Sequence, residues 1–185
     1  MTYRTKTYIA GEWEGDSDAI EQLYNWNDGD KWALHFKDVH EIKQCYDSSM
    51  PCTIKDSLST RIKASKIFIL VVGNNTAMAR KGSCSYKDCG NKKWYYNKGY
   101  VCNVIGKTYS TESFIDYECR KAYDAYLNGK MKIVVLYNSD SIDKSKCPEI
   151  LRNIGTHQSM KSYNYIFGKY IYIYDYQKIR SAIEN

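Results

Sequence analysis

The chain has 185 residues, a length that suits one domain spanning 1–185, because domains cluster near roughly 100–150 residues and a chain of this size can bury a core of its own. Its longest apolar run, Ile67 to Gly73, is far shorter than the ~20 residues of a membrane span, and Met1-Thr-Tyr-Arg-Thr-Lys6 has no signal-peptide core, so a cytoplasmic protein with no membrane partner is expected. The 27 Lys and Arg exceed the 21 Asp and Glu by six, which suits an anionic small molecule, but Lys is dispersed without a block of five like charges, and this argues against nucleic acid.

In chain order, Lys6-Thr-Tyr-Ile-Ala-Gly11 reads as a strand ending at glycine, followed by an acidic stretch, Glu12 to Asp18, and a helix from Asp18 to about Trp26. Trp32-Ala-Leu-His-Phe36 reads as a second strand. Thr53 is placed to cap a helix over 54–64, whose Ile54, Leu58 and Ile62 fall on one stripe. Lys66-Ile-Phe-Ile-Leu-Val-Val-Gly73 is a continuous β-branched and aromatic run, the pattern of a central parallel strand covered on both faces. From there to Ser110 no steady period appears, and the stretch at about 76–110, which contains cysteines, reads as an insertion.

Thr111 with Glu112 opens a predicted helix over 112–128 that Gly129 stops. Met131 to Tyr137 is a further buried strand, Lys146-Cys-Pro-Glu-Ile150 opens a short helix, Tyr170 to Tyr174 alternates as a final strand, and Asp175 caps a last helix to Ile183. This order specifies an α/β fold of three layers, flavodoxin-like or TIR-like, with a five-stranded, mainly parallel sheet in the order 2-1-3-4-5 and an insertion after the third strand. Ligands of such sheets bind beyond the carboxyl ends of the strands, where the winding reverses. That gathers Gly11, Glu12, Trp13 and Asp16 from the first strand, Asn74 and Thr76 from the third, and the first turns of helix 112–128.

Among these, Glu118 is the sharpest candidate for chemistry, a carboxylate on the second turn of a helix at the cleft mouth, with Tyr117 beside it. No Gly-x-Gly-x-x-Gly and no Walker loop is present, which removes a Rossmann oxidoreductase and a nucleoside triphosphatase. The seven cysteines are odd in number and have no secretory context, so a disulfide framework is not expected. Cys84 and Cys89, with Cys102 and Cys119 further on, form a loose four-thiolate set for a structural zinc that would order the insertion.

Three segments resemble the TIR superfamily, in particular the bacterial TIR-like proteins that include the Thoeris antiphage-defence subunits: Lys6-Thr-Tyr-Ile-Ala-Gly-Glu-Trp13, Ser65-Lys-Ile-Phe-Ile-Leu-Val-Val-Gly-Asn-Asn-Thr76 and Ser113-Phe-Ile-Asp-Tyr-Glu-Cys-Arg-Lys-Ala122. The resemblance implies that Glu118 is the catalytic glutamate and that NAD is the substrate. It implies cleavage of the nicotinamide glycosidic bond to an ADP-ribose-derived, cyclic signal nucleotide in antiphage defence. Gly11, Glu12, Trp13, Asp16, Asn74, Thr76 and Tyr117 would bind the substrate. Self-association for activity and a downstream effector that senses the product are implied with it. A rival reading is a non-catalytic TIR-like adaptor or nucleotide-binding module, in which Glu118 is only a surface acid.

Overall fold

Strand β1 (Thr5–Ala10) buries four successive residues, Thr7 to Ala10, because helices cover both faces of its sheet. The computed structural model to which it belongs describes residues 5–29, 34, 36–38, 51–83, 92–97, 99–102, 107–108, 111–166 and 168–184. Helix α1 (Trp13–Asp28) starts five residues before its predicted beginning, since the Glu12 carbonyl already accepts the N–H groups of Gly15 and Asp16 at 3.0 and 2.8 Å. At Asp16 the backbone leaves helical geometry (φ −124°, ψ 18°), and from that kink Ala19, Ile20 and Leu23 turn inward.

Strand β2 (Phe36–Asp38) pairs parallel with β1 and meets the predicted strand only at Phe36; Trp32, Ala33 and His35 lie outside the described residues. Helix α2 (Pro51–Lys63) contains Thr53 rather than being capped by it. Pro51 suits the first helical position, where its fixed φ helps and its missing N–H costs nothing. Strand β3 (Ile67–Val72) pairs parallel with β1, as the apolar run demands.

The insertion is not without regular structure, contrary to its aperiodic sequence. A single 3-10 turn at Thr76–Met78 is followed by an antiparallel sheet of β4 (Lys92–Tyr95), β5 (Gly99–Cys102) and β6 (Lys107–Thr108), strands too short for alternation to show. Helix α3 (Phe114–Leu127) is capped two residues later than predicted: Ser113, not Thr111, accepts the Asp116 N–H at 3.1 Å, and its hydroxyl donates to the Asp116 carboxylate at 2.8 Å. The helix start nests on Gly82, which has φ +87° and whose missing side chain leaves room for the Phe114 ring.

Strand β7 (Lys132–Tyr137) pairs parallel with β3, and two 3-10 turns, Lys144–Lys146 and Glu149–Leu151, replace the single short helix predicted there. The last position of the central sheet goes to β8 (Thr156–Ser159), parallel to β7, so the strands run β2-β1-β3-β7-β8. The predicted arrangement that closes on Tyr170–Tyr174 is therefore not the one found. That segment is a strand, β10 (Lys169–Tyr174), but it pairs antiparallel with β9 (Lys161–Ile166) in a separate two-stranded ribbon. Helix α4 (Tyr176–Glu184) begins as predicted at Asp175, whose carboxylate accepts the Lys178 N–H at 3.2 Å.

Two apolar layers hold the sheet. Tyr8, Phe68, Leu70, Ile133 and Val135 face Leu58 and Ile62 of α2 and Ile115, Cys119 and Ala122 of α3. Ile9, Ile69, Val71, Val134 and Leu136 face Ile20 and Leu23 of α1 and Ile179 and Ile183 of α4. Each large side chain so buried contributes roughly 1.5–3 kcal/mol. The strand ends that remain, at Gly11, Gly73 and Asn138, meet the first turns of α1.

Candidate active site

At the carboxyl edge of the sheet the Asp16 carboxylate lies flat against Gly73. A Cβ on that glycine would stand 2.0 Å from Asp16 Oδ1, so only glycine admits the acid. Thr76 Oγ1 accepts the Gly73 N–H at 2.8 Å, and its hydroxyl hydrogen-bonds the Asp16 carboxylate. Asn138, the first residue after β7, donates through Nδ2 to Asp16 Oδ1 at 3.2 Å and to Asp18 Oδ1 at 3.1 Å. The Tyr174 hydroxyl, at the end of β10, stands 2.6 Å from Asp18 Oδ2 and 2.9 Å from Asn138 Oδ1.

Asp16 is buried, and its Oδ2 has no hydrogen-bond partner among the described residues. Burial holds its pKa above the usual carboxylate value; the charges of Glu12 and Asp18 push the same way, and the bonds from Asn138 and Thr76 oppose them. Asn74 does not join this cluster through its own side chain, since its Oδ1 accepts Lys146 Nζ at 2.9 Å. Gly11 packs between Ile20 and Val71 at the end of β1, Glu12 builds the turn with its carbonyl, and Trp13 is partly exposed with its ring 6.5 Å from that of Tyr24.

Glu118 stands elsewhere, within the layer of α2 and α3. It is only 5% exposed, and its Oε1 accepts the Tyr8 hydroxyl from β1, whose ring stacks on Phe68 with centroids 5.8 Å apart. Burial pushes the Glu118 pKa up to about 7, while the Tyr8 hydroxyl and the positive charge of Arg61 on α2 pull it back. The carboxyl group is thus close to half ionised near neutral pH. Beside it the buried Tyr117 ring has three cations around it, Arg120 at 5.2 Å, Lys121 at 5.5 Å and Lys55 at 5.7 Å from the centroid. Lys55 also donates to the Glu112 carbonyl at 2.5 Å, and Arg120 grips the Glu112 carboxylate at 2.6 and 2.8 Å.

Of the residues singled out from sequence, Asp16 and Thr76 come together, and Glu118 adjoins Tyr117. No hydrogen bond or ion pair among the described residues links Glu118 to Asp16, Asn74 or Thr76. Tyr8, Asn138 and Tyr174 were missed. Asn138 occupies the strand-end position that Gly11 and Gly73 occupy on β1 and β3, and that topological equivalence was the signal available for it.

Cys84 and Cys89 lie outside the described residues. Cys102 is buried in β5, and Cys119 sits fully buried in the apolar layer beneath α3, where burial drives its thiol pKa well above normal and keeps the sulfur protonated. Among the described residues no group of three His, Cys, Asp or Glu side chains could hold a metal ion, and no helix is long and apolar enough to cross a membrane.

No curated protein matches the chain. Residues 8–81 match the family model of the Thoeris protein ThsB, TIR-like domain. The match begins within β1 and ends just beyond the 3-10 turn after β3, so it includes Gly11, Glu12, Trp13, Asp16, Asn74 and Thr76 and stops short of α3. Over residues 8–81 the chain is therefore similar to the TIR-like domain of the Thoeris protein ThsB.

Proposed function

We propose that the protein consumes NAD, cleaving its nicotinamide glycosidic bond and converting the ADP-ribosyl part into a signal nucleotide, cyclic in form, for an effector in antiphage defence. The observation that carries the reading is the buried Glu118 carboxyl group on α3, bonded to Tyr8 of the TIR-like β1 and with a pKa near neutrality. Nicotinamide in NAD is cationic and leaves as a neutral base, so no acid has to protonate it. What the site must supply is negative charge as the ribose becomes an oxocarbenium ion, the role carboxylates take in glycoside hydrolysis.

A cationic ribosyl group beside Glu118 would favour the ionised carboxylate, because an opposite charge in a water-poor setting lowers a carboxyl pKa. Glu118 would then accept ribose hydroxyls, and Tyr8 would hold the carboxylate in place. The cations around Tyr117 provide positive charge on the neighbouring residue of the same helix, suited to the diphosphate. Gly11, Glu12, Trp13, Asp16, Asn74 and Thr76 line the strand ends where the remainder of the dinucleotide would lie, and a second copy of the chain would complete the cleft. A zinc on Cys84, Cys89, Cys102 and Cys119 belongs to the same proposal as a support for the insertion, although Cys119 is a core thiol by its surroundings.

The test is mass-resolved analysis of NAD incubated with concentrated wild type and Glu118→Gln. Nicotinamide release by the wild type alone is expected, with an ADP-ribose-derived product. Release by neither protein would favour the adaptor reading, and equal release by both would remove Glu118 from the chemistry.

A further inference from the structure

Two segments of the chain, 91–110 and 160–174, contain six Lys residues and no Asp or Glu. The formal charge of +6 is therefore the charge of these segments, and the rest of the chain is balanced. The first holds β4 to β6, with Trp94 63% and Tyr96 95% exposed, and the second is the β9–β10 ribbon. Dispersed along the sequence, the surplus lysines thus fall in the two segments that contain the accessory strands rather than the central sheet.

The ribbon presents a continuous aromatic face. Its register opposes Tyr163 to Tyr172 and Tyr165 to Tyr170, which sets four tyrosines on one face. Their side chains are 55–63% exposed, with ring centroids 4.7–4.8 Å apart from Tyr172 through Tyr163 and Tyr170 to Tyr165. Lys161 stands at the root of the ribbon, its ammonium 4.7 Å over the Tyr174 ring and 3.8 Å from the Asp18 carboxylate, and Lys169 at the tip. Neither outer edge of the ribbon has a strand partner among the described residues. A contiguous aromatic strip left in water marks a recognition surface.

We infer that the tyrosine face of the β9–β10 ribbon is a docking surface for an unpaired nucleic-acid strand. Exposed rings offer stacking partners to bases, and Lys169 at the tip of a segment that contains no acid offers a cation to phosphates; that pairing is how sequence-tolerant single-strand surfaces work. A second copy docked face to face would set its own Lys169 against this one, and residues 160–174 contain no acid to neutralise either. Duplex nucleic acid would satisfy the lysines but keeps its base faces stacked and away from the rings.

The test is fluorescence anisotropy of a short labelled oligo(dT), with the same-length oligo(U) and a duplex as comparisons. Preference for either single strand over the duplex is expected, with affinity falling as salt rises between about 50 and 200 mM. Tyr170→Ala should weaken binding roughly tenfold, the scale of one stacked base. Lys169→Glu, which leaves every ring in place and so guards against a misfolded ribbon, should weaken it several-fold. Equal affinity for the duplex, or no binding by the folded wild type, would overturn the inference. So would self-association seen by light scattering that Tyr170→Ala abolishes while oligonucleotide has no effect, an outcome that assigns the face to a second copy.

Discussion

Tyr8 and Glu118, 110 residues apart in the chain, share a hydrogen bond in which the phenol donates to the carboxyl Oε1 within the layer that α2 and α3 form over the sheet. The contact joins the first strand to the helix that carries the candidate catalytic acid, and it opposes the effect of burial on the ionisation of that acid while fixing its direction. Removing the hydroxyl with Tyr8→Phe takes away an interaction that lowers the Glu118 pKa, so the carboxyl should titrate above its wild-type value of about 7. Carbon-detected NMR titration of the side chain reads this directly, without any need for turnover. The ring still stacks on Phe68, and the expected stability loss is about 1–2 kcal/mol for one buried hydrogen bond. An unchanged titration would mean that the phenol does not face Glu118 in solution.

Glu118→Gln should make the protein more stable at neutral pH. The folded chain holds this acid at about 7, against 4.5 for the ordinary group. Below pH 4.5 both states are protonated and the group contributes no pH dependence. Between 4.5 and about 7 the unfolded chain releases its proton while the folded chain keeps it, so wild-type stability falls with rising pH and levels off above that window. The accumulated penalty is roughly 3 kcal/mol. Urea unfolding of both proteins should show Glu118→Gln gaining on the wild type across that window, and parallel pH profiles would contradict the buried acid.

Gly73→Ala tests the packing of the carboxyl edge. The added Cβ would meet Asp16 Oδ1 at 2.0 Å and its other carboxyl atoms at 2.5 Å, so the acid must leave its place against the strand end. A loss of about 1–3 kcal/mol is expected for overpacking at a rigid site. Combining it with Asp16→Ala should recover part of that loss, because the clash and the acid are removed together. A coupling of at least about 1 kcal/mol in the double-mutant cycle would establish the contact, and strict additivity would deny it.

The sequence was most legible where one local pattern decides the outcome. Ile67 to Val72 and Ile133 to Leu136 are apolar throughout because each is covered on both faces, and no partner need be known to read them as central strands. Thr156 to Ser159 could not be read this way: it is an edge strand with one buried residue, and its place depends on the backbone edge that β7 offers. Tyr170 to Tyr174 alternates as a strand should, yet alternation does not name the partner strand, and the ribbon with β9 leaves its aromatics in solvent. The candidate site divides in the same way. The carboxyl-edge rule located Asp16 and Thr76, whereas the ionisation of Glu118 depends on its burial and on Tyr8 and Arg61, residues of two distant elements that no local spacing connects to it.

Thiol reactivity separates core cysteines from metal ligands. Cys52, Cys102, Cys119 and Cys147 are all buried thiols that form no disulfide, and burial raises the thiol pKa of Cys119 well above normal and that of Cys147 to about 11. Burial should keep all four from an aromatic disulfide reagent in the native protein, and Cys119 and Cys147 also hold little of the reactive thiolate. Of the seven cysteines, at most Cys45, Cys84 and Cys89 should then react before unfolding and all seven after it. If Cys84, Cys89, Cys102 and Cys119 instead hold zinc, a chelator should raise the native thiol count as it releases about one metal ion per chain. A count that chelation leaves unchanged, with no zinc released, would assign Cys119 to the core alone, where its sulfur packs as a small apolar group between α3 and the sheet.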